Sequence, residues 1–224
     1  MMQEDVVEPT KSLDELARDI RSCRKCEAVL ASFGVEPRPI FRGAQDYPVV
    51  IIGQAPGITE YRNNAPFQGA AGQSLRALFE SCGLADFDAK VYQTSVAKCF
   101  PGRRASSSTD RRPSALEVRN CSPFLVSQMQ LLKPRLILIL GSLAWEAYAA
   151  IREREEPGYC MAVFGKHRPQ DLRIPDLVGR RLNWKDAVVL PMIHPAGSAN
   201  GARAKHPELD LESKQMLHEE LQKI

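Results

Sequence analysis

Apolar positions along the chain follow two rhythms. Over residues 11–22, Leu13, Leu16, Ala17 and Ile20 recur at helical spacing, and Ser12 with Glu15 three positions on forms a capping-box pattern. Elsewhere short stretches rich in apolar and β-forming residues stand out, broken in one case by Gln93, Thr94 and Ser95. Residues 48–53, Val91 to Ala97, Arg135 to Leu140 (introduced by Pro134) and Ala187 to Ile193 each read as a buried strand bounded by Gly, Pro or charged residues. Helical patterns lie between them, at about 71–82 (Leu75, Leu78, Phe79), 114–132 and 142–151, the last capped by Ser142. A final amphipathic helix is expected at 208–223. Residues 27–48 read as an irregular connection and 102–113 as an Arg-, Ser- and Pro-rich loop. Residues 152–182 are charged and Pro/Gly-rich, with a short β excursion expected around Met161–Phe164.

Strands alternating with helices predict an α/β fold, a four-stranded parallel sheet with helices on both faces. No internal repeat or second core is visible, so residues 1–224 are expected to form one domain. Open α/β sheets bind ligands in loops beyond the carboxyl ends of their strands. The strand at 48–53 ends in Gly53-Gln54-Ala55-Pro56-Gly57, which reads as a pocket floor, and Pro66 to Gly72 reads as a pocket wall.

Composition narrows the setting. Hydrophobic residues make up 44% and charged residues 25% of the chain, as in ordinary globular proteins, and the net charge is only +3. Affinity for nucleic acid must therefore come from local clustering. The acidic N-terminus lacks the apolar core of a signal peptide, and no apolar run reaches the roughly 18 residues of a membrane span. An intracellular, cytoplasmic protein without membrane contact is expected, most simply a monomer.

In that compartment six cysteines favour ligands or free thiols over disulfides. Cys23 and Cys26 form a C-x2-C at a helix end, Cys99 follows the second strand, and Cys121 lies 22 positions on, inside a helix. Thiolates at such positions suit zinc or an iron–sulfur cluster, and the spacing does not choose between them. Buried thiols packed as small hydrophobes are the plain alternative. Cys82 and Cys160 show no partner pattern. From 98 to 119, Lys98, Arg103, Arg104, Arg111, Arg112 and Arg119 meet only Asp110 and Glu117 as acids, a cluster suited to phosphate contacts. Arg203, Lys205 and His206 form a smaller basic patch.

Gly53-Gln-Ala-Pro-Gly57, Pro66-Phe67-Gln-Gly69, Ala71-Gly72, Tyr92 to Cys99, the strand into Gly141, and His194-Pro195 occur in one order. In that order the chain resembles the uracil-DNA glycosylase superfamily over roughly residues 20–205, nearest to family 4. The resemblance implies excision of a base from DNA by hydrolysis of its N-glycosidic bond, after the nucleotide is flipped into a pocket. By position Phe67 stacks on the base, His194 hydrogen-bonds the departing base, and the turn containing Gly53 and Ala55 lines the base and a phosphate. It also implies a [4Fe–4S] cluster on Cys23, Cys26, Cys99 and Cys121.

Two positions depart from the family pattern. Gln54 stands where family 4 has a Glu that assists water attack, and an amide cannot act as a carboxylate base. Ser95 stands where an Asn reads the edge of uracil, leaving one hydroxyl and more space. The loop from Ala196 to Arg203 lacks the bulky apolar plug of the family, with Asn200 or Arg203 as substitutes, and the Cys99–Cys121 segment is longer than usual. Three readings stand: a pocket rebuilt for a modified pyrimidine, such as a 5-substituted cytosine of phage DNA, in an antiphage role; excision of uracil or another deaminated base in repair; or a DNA- and cluster-binding module without catalysis.

Overall fold

The computed structural model describes residues 12–42, 47–104, 108–195 and 199–224. Ser12 caps the first helix, α1 (Leu13–Ser22), accepting from the Glu15 N–H at 3.2 Å, and the short α2 (Glu27–Ala31) follows inside the stretch expected to be irregular. Strand β1 (Val49–Gly53) is buried throughout. After it come α3 (Ile58–Asn63), α4 (Ala70–Ser81), α5 (Phe87–Lys90) and β2 (Val91–Ser95). The capped helix α6 (Ala115–Leu132), β3 (Leu136–Leu140) and α7 (Ser142–Glu155) complete the middle of the chain.

The last third departs most from expectation. Met161–Phe164 is helical, within α8 (Tyr159–Phe164). Glu153 accepts from the Gly158 and Cys160 N–H groups at 2.6 and 2.8 Å, and Gly158 and Gly165, both left-handed, turn the chain in and out. Then follow α9 (Ile174–Leu177), β4 (Leu182–Trp184), β5 (Ala187–Met192), α10 (Asn200–Lys205) and α11 (Pro207–Leu221).

The sheet has five strands, not four, in the order β2-β1-β3-β5-β4. The added strand is β4, which pairs antiparallel with β5 through the Trp184–Ala187 pair, while the other four are parallel. An antiparallel edge strand on an otherwise parallel sheet is a common arrangement. Successive side chains point to opposite faces. Val50, Ile52, Ile137 and Ile139 pack with Leu125, Met129 and Trp145 of α6 and α7, whereas Val49, Ile51, Leu136 and Leu138 pack with Leu75, Phe79, Leu217 and Leu221 of α4 and α11. The register sets Gly53 beside Ser95 and Leu140 beside Met192, so the carboxyl ends of β1, β2, β3 and β5 share one edge. No helix among the described residues is long and apolar enough to cross a membrane.

Candidate active site

That edge carries a cavity of about 880 Å³. Gly53, Gln54 and Ala55 line it from the turn after β1, Phe67 from the loop before α4, Ser95 from the end of β2, His194 from beyond β5, and Arg103 from its rim. Arg104, Arg111, Arg112, Asn200 and Arg203 lie outside this lining.

The Phe67 ring rests against Gly53, where a Cβ would stand 3.1 Å from its Cζ. Phe67 is left-handed (φ 50°), a costly conformation for an aromatic residue that its surroundings must impose. Arg76 donates to the Phe67 carbonyl at 2.8 Å and grips Asp88 with two bonds of 2.9 and 2.7 Å. Asp88 also accepts from Gln93 at 2.9 Å. The Arg76 bonds hold the Asp88 carboxyl below its ordinary pKa. Gly72 lets α4 begin directly beneath the loop, since a Cβ there would come within 1.7 Å of the Phe67 carbonyl oxygen. Glu60 ties floor to wall, accepting from the Gly57 N–H at 3.0 Å and from those of Gln68 and Gly69, each at 2.8 Å. Its place in α3, within a stretch rich in polar residues, gave no sign of this role.

His194 packs on Gly141 (φ +80°), where a Cβ would lie 3.3 Å from its own. Arg203 donates to the His194 carbonyl at 2.6 Å and also bonds the Asn200 side chain, so these two residues brace the histidine segment. Burial and the Arg203 charge lower the His194 pKa, with Glu60 opposing. The imidazole is therefore neutral at pH 7 and offers an N–H donor without a full charge. Ser95 donates its hydroxyl proton to the Ala97 carbonyl at 2.8 Å, leaving oxygen lone pairs as its remaining capacity. Backbone bonds from Val96 to Gly53 (2.9 Å) and Ala97 to Gln54 (3.1 Å) fasten the turn beside it.

A second, smaller cavity is lined by Cys23, Cys26, Cys99 and Cys121 together with Lys98, Glu117, Asn120 and Phe124. Burial pushes the Cys99 thiol up to about 12 and raises Cys26 and Cys121 as well. Burial lowers the enclosed Lys98 ammonium to about 8 against the pull of Cys121 and Cys99. Two sulfurs already accept hydrogen bonds, Cys121 from the Lys98 N–H at 3.5 Å and Cys26 from Asn120 at 3.4 Å. Among the described residues no three Cys, His, Asp or Glu side chains close on one point as a single metal ion requires. Four thiols around one cavity, some with N–H donors, nevertheless form the donor set of an iron–sulfur cluster, whose cysteines attach to separate iron atoms. All six cysteines are free thiols, with Cys82 and Cys160 buried elsewhere.

The basic residues divide, and Lys98, buried beside the cysteines, is withdrawn from any phosphate contact. Arg111 makes a two-bond pair with Glu117 (2.8 and 2.7 Å) and lies over the Phe33 ring at 4.2 Å, with both charged side chains under 10% exposed. Burial raises the Glu117 pKa, but its bonds with Arg111 and Ser114 bring it below the ordinary value. Arg111 thus pins the loop to the start of α6. Arg103 pairs with Asp110 at 2.6 Å and Arg112 with Glu146 at 2.5 Å; these arginines and Arg104 are exposed.

A mostly parallel open sheet, with a cavity beyond its carboxyl ends walled by an aromatic ring and a neutral imidazole, defines a ligand-binding α/β protein. The chain belongs to the Uracil DNA glycosylase superfamily, whose family model matches residues 41–218. It is 37% identical over 134 residues to a type-4 uracil-DNA glycosylase of Archaeoglobus fulgidus, a match covering 60% of this chain and 62% of that protein. A type-4 enzyme of Saccharolobus solfataricus is 30% identical over 192 residues, covering 84% and 77%. A type-5 uracil-DNA glycosylase of Pyrobaculum aerophilum is 41% identical over only 61 residues, or 27% and 24%. The kinship with the type-4 branch expected from the motifs holds.

Proposed function

We infer that the protein is a DNA glycosylase, hydrolysing the N-glycosidic bond of a nucleotide drawn out of the helix. The observation that carries this reading is that Phe67, His194 and Ser95 line one cavity although they come from distant parts of the chain. Phe67, held by Arg76, stacks on the base. The neutral His194 N–H donates to the base as negative charge collects on it, a contribution of about 3 kcal/mol for a well-aimed donor. Backbone groups of the Gly53–Gly57 turn meet the base and its phosphate. Arg103, Arg104 and Arg112 take neighbouring phosphates.

The substrate we favour is a 5-substituted cytosine, with a role against phage genomes that carry such bases. With its proton given to Ala97, Ser95 can only accept, which suits the amino group of a cytosine ring better than the O4 acceptor of a uracil. Uracil excision is the second reading, favoured by the substrate named for the relatives. Cys23, Cys26, Cys99 and Cys121 would hold a [4Fe–4S] cluster, with zinc as the alternative, and so would tie the end of α1 to the segment from Cys99 to Cys121.

The test is incubation with duplexes carrying uracil, hypoxanthine, mismatched thymine or 5-modified cytosines, followed by alkaline cleavage at abasic sites. Strand scission with a modified cytosine is expected. Release of uracil alone would select the second reading, and no release from any duplex would leave a binding module.

A further inference from the structure

Gln54 leaves the cavity floor without a carboxylate, yet hydrolysis needs a group to take a proton from the attacking water. Among the described residues three carboxylates line the cavity: Glu60, Asp110 and Glu146. Glu60 already takes three backbone N–H groups, those of Gly57, Gln68 and Gly69, one more contact than Asp110 receives. Glu146 belongs to α7, which follows β3 rather than the β1 strand whose turn carries Gln54. Asp110 stands on the turn that holds Gln54. Its Oδ2 accepts from the Ile58 N–H at 3.2 Å and lies 2.8 Å from where a Cβ on Gly57 would be.

The segment after Cys99 doubles back to place it there. Arg103 and Asp110 form an antiparallel bridge, and the Arg111 N–H donates to the Gly102 carbonyl at 3.0 Å. A carboxylate offers about four lone-pair sites, and the two contacts given to Asp110, from Ile58 and Arg103, leave room for a water. The turn after β1 and His194 after β5 are separated by two strand spacings, roughly 10 Å, enough for a base and its sugar between them. Arg103, 2.6 Å from Asp110, offsets the repulsion between that carboxylate and DNA phosphates.

We propose that Asp110 is the catalytic base, supplied from the Cys99–Cys121 segment to the side of the cavity where Gln54 cannot serve. The assignment rests on the glycosylase reading above. Asp110 accepts a proton from water as the water oxygen bonds to C1′ of the sugar. The C1′–N bond breaks with its electron pair leaving on the base, which His194 stabilises by a hydrogen bond until it takes up a proton. The products are the free base and an abasic sugar.

The test measures single-turnover release from whichever duplex of the panel the wild type cleaves fastest, alongside affinity for a duplex holding a stable abasic analogue. Asp110→Asn is expected to slow release about 100-fold or more, the scale of general-base catalysis, while abasic-duplex affinity stays within about threefold. The acid limb of the wild-type pH–rate profile is expected to vanish in the residual activity. Release within about threefold of wild type would overturn the assignment, as would a loss of rate matched by an equal loss of affinity. Abolition by Glu146→Gln with Asp110→Asn still active would move the role to Glu146. If the wild type releases no base from any duplex, the glycosylase reading fails and Asp110 with it.

Discussion

The two cavities solve the problem of holding functional groups in opposite ways. Around Phe67 and His194 the fold supplies its own partners: Arg76 holds the ring's carbonyl, Glu60 holds three backbone N–H groups, and Arg203 holds the histidine carbonyl. The lining is held in place by bonds within the chain itself, the preorganisation that the proposed electrostatic role would call for. Around Cys23, Cys26, Cys99 and Cys121 the protein supplies burial, a buried amine and a few N–H donors. Burial raises the thiols of Cys26, Cys99 and Cys121, so a bound cation would be needed for them to ionise there. One region is held by the chain's own bonds, while the other gathers four thiols that few of the chain's own groups satisfy.

The sharpest way to break this contrast is to remove a thiol. Cys121→Ser is expected to abolish an absorbance band near 400 nm and cost on the order of 5 kcal/mol of stability, part of what a bound metal group contributes to folding. An unchanged melting temperature with the band retained would end the cluster assignment. His194→Ala is expected to slow base release on the order of 100-fold, about 3 kcal/mol, with melting and abasic-duplex affinity nearly unchanged. A drop in affinity instead would make the histidine a binding group only.

The arginines give a third comparison. Arg111→Ala strands a buried Glu117 and is expected to cost about 3 kcal/mol of stability, seen in urea unfolding, with little change in the salt dependence of DNA binding. Changing Arg103, Arg104 and Arg112 to Gln is expected to leave stability near wild type and flatten the salt slope by about one per lost phosphate contact. A fourth effect is smaller. Because His194 has a lowered pKa when folded, the unfolded chain binds the extra proton as pH falls. Stability from this group is full above its ordinary pKa of about 6.5 and is lost as pH drops below that value toward the folded pKa. His194→Gln should remove that component of the slope in pH-dependent unfolding.

Much of this was legible in the chain because parallel strands, buried on both faces, leave unbroken apolar runs. β1, β3 and β5 lie within such runs; β2 buries Gln93, Thr94 and Ser95 as well and shows only as a short β-rich stretch between Val91 and Ala97. β4 escaped because only Leu182 and Trp184 face inward, and its hairpin uses Lys185-Asp186 without a glycine, Lys185 taking the left-handed conformation. The stretch around Met161–Phe164 read as β because a run of four cannot reveal a period, and its helix is fixed by Glu153 from another element. At the candidate site, motif order placed the ring, the imidazole and the four cysteines. Glu60 stood out only as a polar neighbour of the site; that it and Arg76 hold backbone groups, and that Arg111 is used internally, stayed hidden because those roles depend on bonds between α3, α4, α5 and the loop before α6. Ala196 to Ser198, part of the segment compared with the family plug, lie outside the described residues.

Gly72 carries a lesson about how such a pocket acquires a new substrate. With no space for even a methyl group beneath the Phe67 carbonyl, the path of the wall is fixed, and reshaping it would shift the Phe67 ring that lines the cavity. Adaptation is thereby channelled into positions that decorate the cavity without bearing on the wall's course, such as 54, 71 and 95. Chemical selectivity can drift there while the outline of the chamber stays constant.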